Sequence, residues 1–360
     1  LSNTQIYHAI VGCGRVSSNH ADAFARIPGV TLYYANDILR ERTEELASRF
    51  GIQHVTTNYQ DVLNDPKVTS ISLAVPHYLH ASMALQAIAS GKHVLVEKPF
   101  VIKPEDGTEV MTSMQSKGVV VMPVSQHHFD PILCCIKQLI LDNELGNIVM
   151  TRSHLECVRS KEYYTDSPWR GLWSGEGGSV LINQAYHIVD LLLWLVGSVK
   201  RVKAEMANLA NAKIMETEDT FTASIVFECK ALGNLTITGA GGGEWESYIE
   251  IIGTEGVIAF DIAYPNTIHR FELNNKTSMQ AWKNKFEESR ESGFVSPPGI
   301  DYYGNSHCHQ ARAFVEQIWS QLPQDGVDIK HALKVVNLIQ HLYDSARSGN
   351  TVLVETSSGA

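Results

Sequence analysis

The 360-residue chain lacks several features, and each absence removes a class of function. It has no CxxC pair, and its six cysteines (13, 134, 135, 157, 229 and 308) follow no disulfide-framework or zinc-ribbon spacing. They read as reduced, mostly buried thiols of a cytoplasmic protein. It has no GxSxG, so the nucleophile elbow of the α/β-hydrolases is absent. It has no excess of positive charge. Its 29 Lys and Arg against 39 Asp and Glu leave a formal charge of −10, the wrong sign for nucleic acid or an anionic membrane as main partner. No apolar run approaches a membrane span, because the longest, IVDLLLWLVG, is short and is interrupted by Asp190. The amino terminus shows neither the basic segment nor the cleavage site of a signal peptide, so a cytoplasmic location is expected.

What is present divides in two. The early runs IYHAIVG, VTLYYAND, VTSISLAVP, KHVLVEKP and GVVVMPV alternate with the amphipathic stretches ILRERTEELASRFG, LHASMALQAIASG and PEDGTEVMTSMQSKG. These runs are continuous in Val, Ile, Leu and Ala, which marks parallel strands covered on both faces. Residues 1–123 are therefore expected to form a doubly wound α/β domain of the Rossmann type. Then the period changes. IVMTRSHLECV, DTFTASIVFEC, LGNLTITGA, SYIEIIGT and EGVIAFDI alternate polar and apolar, as a half-buried antiparallel sheet does. Residues 124–360 are expected to form an α+β domain around a large, mostly antiparallel open sheet. Its one strong helix is INQAYHIVDLLLWLVG, and two late helices near 307–320 and 330–347 can pack back on the first domain. Residues 275–305 show no period and read as a long loop. An open sheet of this breadth leads us to expect a homodimer or homotetramer that covers it.

The cofactor signal opens the chain. GCGRVS, residues 12–17, follows a strand and begins a helix. Gly12 allows the tight turn and Gly14 lets the main chain approach a pyrophosphate. Arg15, Val16 and Ser17 lead into the helix whose amides face the phosphates. Asp37 closes the second strand about 25 residues on and suits a ribose 2′-hydroxyl. A 2′-phosphate there would meet like charge, and Ile38 and Leu39 follow where an arginine would be needed, so NAD is expected rather than NADP. Pro76, His77 and His80 follow the next long strand, at the carboxyl edge where a dinucleotide binds. The two histidines also read as a loop residue and a helix cap.

Lys98, after Glu97, ends the buried run HVLV. A lysine is costly where a parallel strand leaves a core. At that edge its ammonium can bond a substrate hydroxyl and stabilise developing oxyanion charge. In INQAYHIVDLLLWLVG, Asn183, His187 and Asp190 recur at i, i+4 and i+7, so one α-helix puts them on one face. A polar stripe on an otherwise apolar helix suits a cavity. His187 fits a general base near neutral pH, Asn183 fits a group that orients a hydroxyl, and Asp190 fits a support for His187. The plain alternatives are a surface lysine and a satisfied core histidine.

Together VGCGRVSSNH, HVLVEKPF and GGSVLINQAYHIVDLLLWLVG resemble the Gfo/Idh/MocA oxidoreductases over nearly the whole chain. The stretch SKEYYTDSPWRGLWSGEGGSVLINQAYHIVDLL is similar to the UDP-N-acetyl-2-amino-2-deoxyglucuronate 3-dehydrogenase group. The resemblance implies NAD-dependent oxidation of a secondary hydroxyl, at C3, of a sugar or sugar nucleotide. It implies Lys98 and His187 as the catalytic pair, with Tyr163, Tyr164, Trp169 and Arg170 close to substrate. Two departures stand out. Asn183 replaces an Asp common in relatives, and SQHHFDP puts His127 and His128 where an arginine would hold a carboxylate. His127 thereby becomes a substrate candidate, and a uronic-acid substrate is called into question. Two alternatives share this pattern: an NAD-dependent glycoside hydrolase that oxidises C3 transiently, and a non-catalytic dinucleotide-binding sensor, which would need neither Lys98 nor His187. The pairs His127–His128 and His307–His309 lie far apart without a zinc spacing, so no metal is expected.

Overall fold

The computed structural model describes residues 4–263, 266–290, 306–320 and 328–354. The chain forms two compact units, Leu1–Phe129 with Phe294–Leu333, and Asp130–Gly293 with Lys334–Ala360. No described helix is long and apolar enough to cross a membrane.

The first unit runs β1 (Ile6–Val11), α1 (Ser17–Ala25), β2 (Val30–Asn36), α2 (Arg40–Phe50), β3 (His54–Thr56), α3 (Tyr59–Asn64), β4 (Ser70–Leu73), α4 (His80–Ala89), β5 (His93–Val96), α5 (Pro104–Lys117) and β6 (Val121–Pro123). Its strands form one sheet in the order β3-β2-β1-β4-β5-β6, and every pairing is parallel. This is the doubly wound arrangement expected. Ile10, Ile71, Leu73, Val94 and Val96 are wholly buried, which explains why these strands read as unbroken apolar runs. The exception is His8 in mid-strand. Its ring nitrogens lie 2.8 and 2.9 Å from the hydroxyls of Ser70 and Ser72 on β4. Burial, then the nearby His20, keep its pKa well below the usual range, so it packs as a neutral ring. Register places Val11 beside Leu73 and Leu73 beside Val96. Gly12, Ala74 and Glu97 therefore emerge along one carboxyl edge. A later helix, α10 (Ser306–Ser320), adds Ala311, Phe314 and Val315 to the same core.

In the second unit, α6 (Pro131–Leu141) precedes β7 (Ile148–Glu156), α7 (Lys161–Thr165), α8 (Tyr186–Leu195), β8 (Val199–Ala207), β9 (Thr220–Phe227), β10 (Leu232–Thr238), β11 (Glu246–Gly253), β12 (Gly256–Phe260), β13 (Ile268–Leu273) and α9 (Lys276–Ser289). The helix α11 (Ile329–Ser348) and the short β14 (Val352–Leu353) follow. The eight strands lie in the order β13-β12-β11-β7-β10-β9-β8-β14. All pair antiparallel except β7 with β10. Tyr186, Leu191, Leu192 and Leu195 of α8 pack into a core shared with Phe221, Phe227 and Phe260 of the sheet. The loop expected over 275–305 is corrected in its described part, where 276–289 is helical. Asn275 caps this helix by accepting from the Ser278 N–H. Its apolar content is concentrated in Trp282 and Phe286, one turn apart and both buried. Two buried aromatics, each worth roughly 2–3 kcal/mol, hold a helix that is otherwise polar.

Candidate active site

At the carboxyl edge of the first sheet, β1 runs into Gly12, whose φ is +90°. A Cβ there would collide with the main-chain carbonyl of Ala74, so only glycine lets β1 and β4 leave the sheet this close together. Gly14 differs: a Cβ there would meet nothing within 4 Å, so the space beside its main chain can admit a ligand. Ser17 Oγ donates to the Gly14 carbonyl at 2.6 Å and closes the turn into α1. Arg15 is exposed and Val16 half-buried beside it. Asp37 Oδ2 accepts from the Cys13 N–H at 2.8 Å, and Oδ1 accepts from the Leu39 N–H at 2.9 Å. The carboxylate is thus pinned at the mouth of the turn, and each oxygen retains a second acceptor lone pair for a ribose hydroxyl. Burial, then the Asp37 charge, push the Cys13 thiol up to about 12, which makes it inert. The residues present fit a dinucleotide.

Two expected cofactor residues serve the scaffold. His80 is fully buried, with Nδ1 2.8 Å from the Pro99 carbonyl and Nε2 2.9 Å from the Val75 carbonyl. Both ring nitrogens face main-chain carbonyls, and the one N–H of the neutral ring donates to one of them, so His80 packs between the turns after β4 and β5. Glu97 also faces inward. Its Oε1 lies 2.9 Å from Nε2 of His20 on α1, and its Oε2 accepts from the Lys98 N–H at 3.1 Å. His307 of α10 stands edge-on to His20, with ring centres 5.9 Å apart. Burial raises the Glu97 carboxyl, but the hydrogen bond and charge of His20 outweigh it and hold it below the usual carboxylate range. Burial pulls His307 down to about 4, so it is neutral at physiological pH. Glu97 therefore shapes the turn that carries Lys98, which is half-buried and precedes a cis bond to Pro99 and the wholly buried Phe100. Pro76 is half-buried and His77 buried in the turn before α4, and His127 is buried in the turn Gln126–Phe129 of this same unit.

In the second unit, the segment before α8 is not the continuous α-helix expected. Val180–Gln184 forms a single π-turn, Ala185 breaks it, and α8 begins at Tyr186. The start of this segment is held by a residue distant in sequence. Glu218, wholly buried, accepts from the N–H groups of Ser179 at 3.1 Å and Leu181 at 3.0 Å, and from the Tyr343 hydroxyl at 2.8 Å. These N–H groups stand at the start of the segment, where its own carbonyls cannot take them, so the Glu218 carboxylate caps it. Burial pushes the Glu218 carboxyl up to about 7 against the pull of those bonds. Gly178, at φ +142°, lies so close to the Tyr343 hydroxyl that a Cβ would overlap it. Asn183 consequently leaves the α8 face, and only His187 and Asp190 share it, three residues apart. His187 is half-buried and Asp190 wholly buried.

Asn183 Nδ2 donates to Glu176 Oε1 at 2.5 Å and to the Tyr163 phenol oxygen at 3.1 Å. Gln184 Nε2 donates to the same phenol oxygen at 3.0 Å. The guanidinium carbon of Arg170 lies 3.9 Å from the Tyr163 ring centre and 5.0 Å from that of Trp169. Tyr163, Trp169, Arg170 and Asn183 thus form one cluster, while Tyr164 packs inward and is buried.

Comparison with known proteins decides the family. Residues 6–125 match the model of the oxidoreductase family with an NAD-binding Rossmann fold, and residues 137–354 match that family's C-terminal alpha/beta domain. The chain belongs to the Gfo/Idh/MocA oxidoreductases. It is therefore an NAD-binding oxidoreductase of that family. Its fold is similar to that of the WlbA dehydrogenase from Bordetella pertussis, solved with NADH and UDP-GlcNAcA, with a TM-score of 0.86 and 25% identity over 99% of this chain and 100% of that one. In sequence it is 25% identical to the levoglucosan dehydrogenase of Pseudarthrobacter phenanthrenivorans, over 70% of this chain and 72% of that protein. It is 25% identical to a scyllo-inositol 2-dehydrogenase (NAD(+)) of Bacillus subtilis, over 71% and 73%.

Sequence reasoning passed over His20, Glu176, Glu218 and Arg159. Only Glu218 left a signal: with Asp219 it puts two acids directly before an alternating strand, where one buried carboxylate needs a reason.

Proposed function

We propose that this oxidoreductase acts on a secondary hydroxyl, at C3, of a sugar or sugar nucleotide. Gly12, Gly14, Arg15, Val16 and Asp37 would hold NAD. When bound, NAD would supply the acceptor for a hydride from the substrate carbon. The rest falls to side chains. A sugar hydroxyl is too weak an acid to lose its proton unaided, so a base must take it as the carbonyl forms. His187, half-buried in the first turn of α8, is that base. Lys98 stabilises the negative charge that develops on the oxygen. Both N–H groups of the Asn183 amide are engaged, so it orients a substrate hydroxyl by accepting at Oδ1. The observation that carries this reading is the full-length likeness to a dehydrogenase solved with NADH and a UDP-sugar acid.

The chain is proposed to work in the cytoplasm as a homodimer or homotetramer joined through the eight-stranded sheet. That sheet carries an ordered polar cluster: Arg152 and Arg270 both reach Glu250, at 2.9 and 3.3 Å, and His154 stacks on Tyr248 at 5.1 Å. The test of function is NADH formation, scored as a stoichiometric burst and as turnover, against free hexoses, inositols and UDP-sugars. A sugar-dependent burst supports the reading. Cleavage of a p-nitrophenyl glycoside without NADH release favours a hydrolase instead.

A further inference from the structure

Among the described residues, the second unit holds two cations that form no ion pair with its acids. Arg159 and Arg170 both stack on Tyr163, their guanidinium carbons 4.8 and 3.9 Å from the ring centre. Each also lies against a tryptophan, Arg159 on Trp245 at 4.9 Å and Arg170 on Trp169 at 5.0 Å. Neither forms an ion pair among the described residues. The carboxylate of Glu176, the acid of this cluster, accepts from Asn183 and from the Gly171 N–H. Elsewhere in the same unit two arginines converge on one acid, Arg152 and Arg270 on Glu250. A chain with a formal charge of −10 has acids to spare, so a guanidinium pair without one is a specific arrangement.

Two like charges around one ring repel each other. The ring faces attract cations and offset part of that repulsion. Arg159 donates to Gln184 Oε1, which fixes its fork. The Nε–H groups of both arginines are shielded from solvent and have no acceptor among the described residues. A bound oxyanion would relieve the repulsion and supply acceptors to planar forks that match carboxylate and phosphate.

We propose that Arg159 and Arg170 form an anion-binding subsite, so that the substrate carries a carboxylate or phosphate group that the pair reads. This rests on the dehydrogenase reading above and narrows its substrates to anionic sugar derivatives.

The test is calorimetric binding to the NAD-loaded full chain with three probes: UDP, glucuronic acid and N-acetylglucosamine. At least one anion should bind roughly tenfold or more tighter than the neutral sugar, and salt should weaken it. Arg159→Gln and Arg170→Gln should each cost about tenfold in anion affinity while leaving NAD affinity unchanged. Arg159→Lys, which keeps the charge and loses the fork, should fall between wild type and Arg159→Gln. Binding of UDP alone would assign the subsite to phosphate, and binding of glucuronic acid alone to carboxylate; either supports the proposal. Failure of both anions to bind, or anion binding indifferent to Arg159 and Arg170, overturns it. The two readings fail separately. Oxidation of neutral sugars with Arg159→Gln unaffected removes the subsite and keeps the dehydrogenase. Arginine-dependent anion binding with no NADH from any sugar removes the dehydrogenase and keeps the subsite.

Discussion

Replacing Glu218 by Gln tests the buried acceptor that caps the segment ahead of His187. The carboxyl ionises at about 7 in the folded chain, against 4.5 for an ordinary glutamate, because burial raises it more than its hydrogen bonds lower it. A folded-state pKa above the unfolded one means that the folded state holds the proton longer. Between those two pH values the folded state binds more protons than the unfolded, so stability falls as pH rises. The contribution is greatest below about pH 4.5 and is lost by about pH 7, a change of about 3 kcal/mol. The amide of the Glu218→Gln variant would not titrate. Its nitrogen would also face an N–H donor where a carboxylate oxygen now accepts from Ser179, a mismatch worth about 1–3 kcal/mol. Chemical denaturation of both proteins from about pH 5 to about pH 8 measures the difference. Wild type should lose stability relative to the variant across that window, and the variant should be weaker at its lower end. A difference between the two curves that is flat or grows with pH would refute the reasoning.

Other perturbations address the cofactor and the charge. With Asp37 at the mouth of the Gly-rich turn, NAD should bind at least about tenfold tighter than NADP, and Asp37→Ala should erase that preference in a fluorescence titration; equal affinities in the native chain would remove the assignment. Lys98→Met should abolish most turnover while NAD still binds. If NAD binding collapses instead, Lys98 anchors the cofactor and does not stabilise the reacting oxygen.

Legibility in the sequence tracked the range of the interactions. The first sheet was readable because burial on both faces leaves continuous runs such as Val94–Val96. The helix Lys276–Ser289 was misread because two aromatics carry its packing. The capping at the start of Val180–Gln184 was invisible for a different reason: its acceptor is Glu218, 37 residues after Leu181, and no local periodicity encodes that. The same holds for His20 and Glu97, 77 residues apart, and for Arg159 against Trp245, which belong to distant stretches of the chain. Tyr163, Trp169 and Arg170 were reached through resemblance and Asn183 through its helical spacing, and the hydrogen bonds that join them were reached by neither.

The most direct test of the mechanism is turnover of His187→Asn across pH, measured as NADH formation with the sugar that serves best. If His187 takes the hydroxyl proton, the variant should lose roughly 10²–10⁴-fold in turnover, the usual contribution of a positioned base, and NAD affinity should stay nearly constant. The native rate should rise with pH as the imidazole loses its proton, and the variant should lack that rise. A variant with near-native turnover and an unchanged pH profile would make His187 a packing residue and contradict the account.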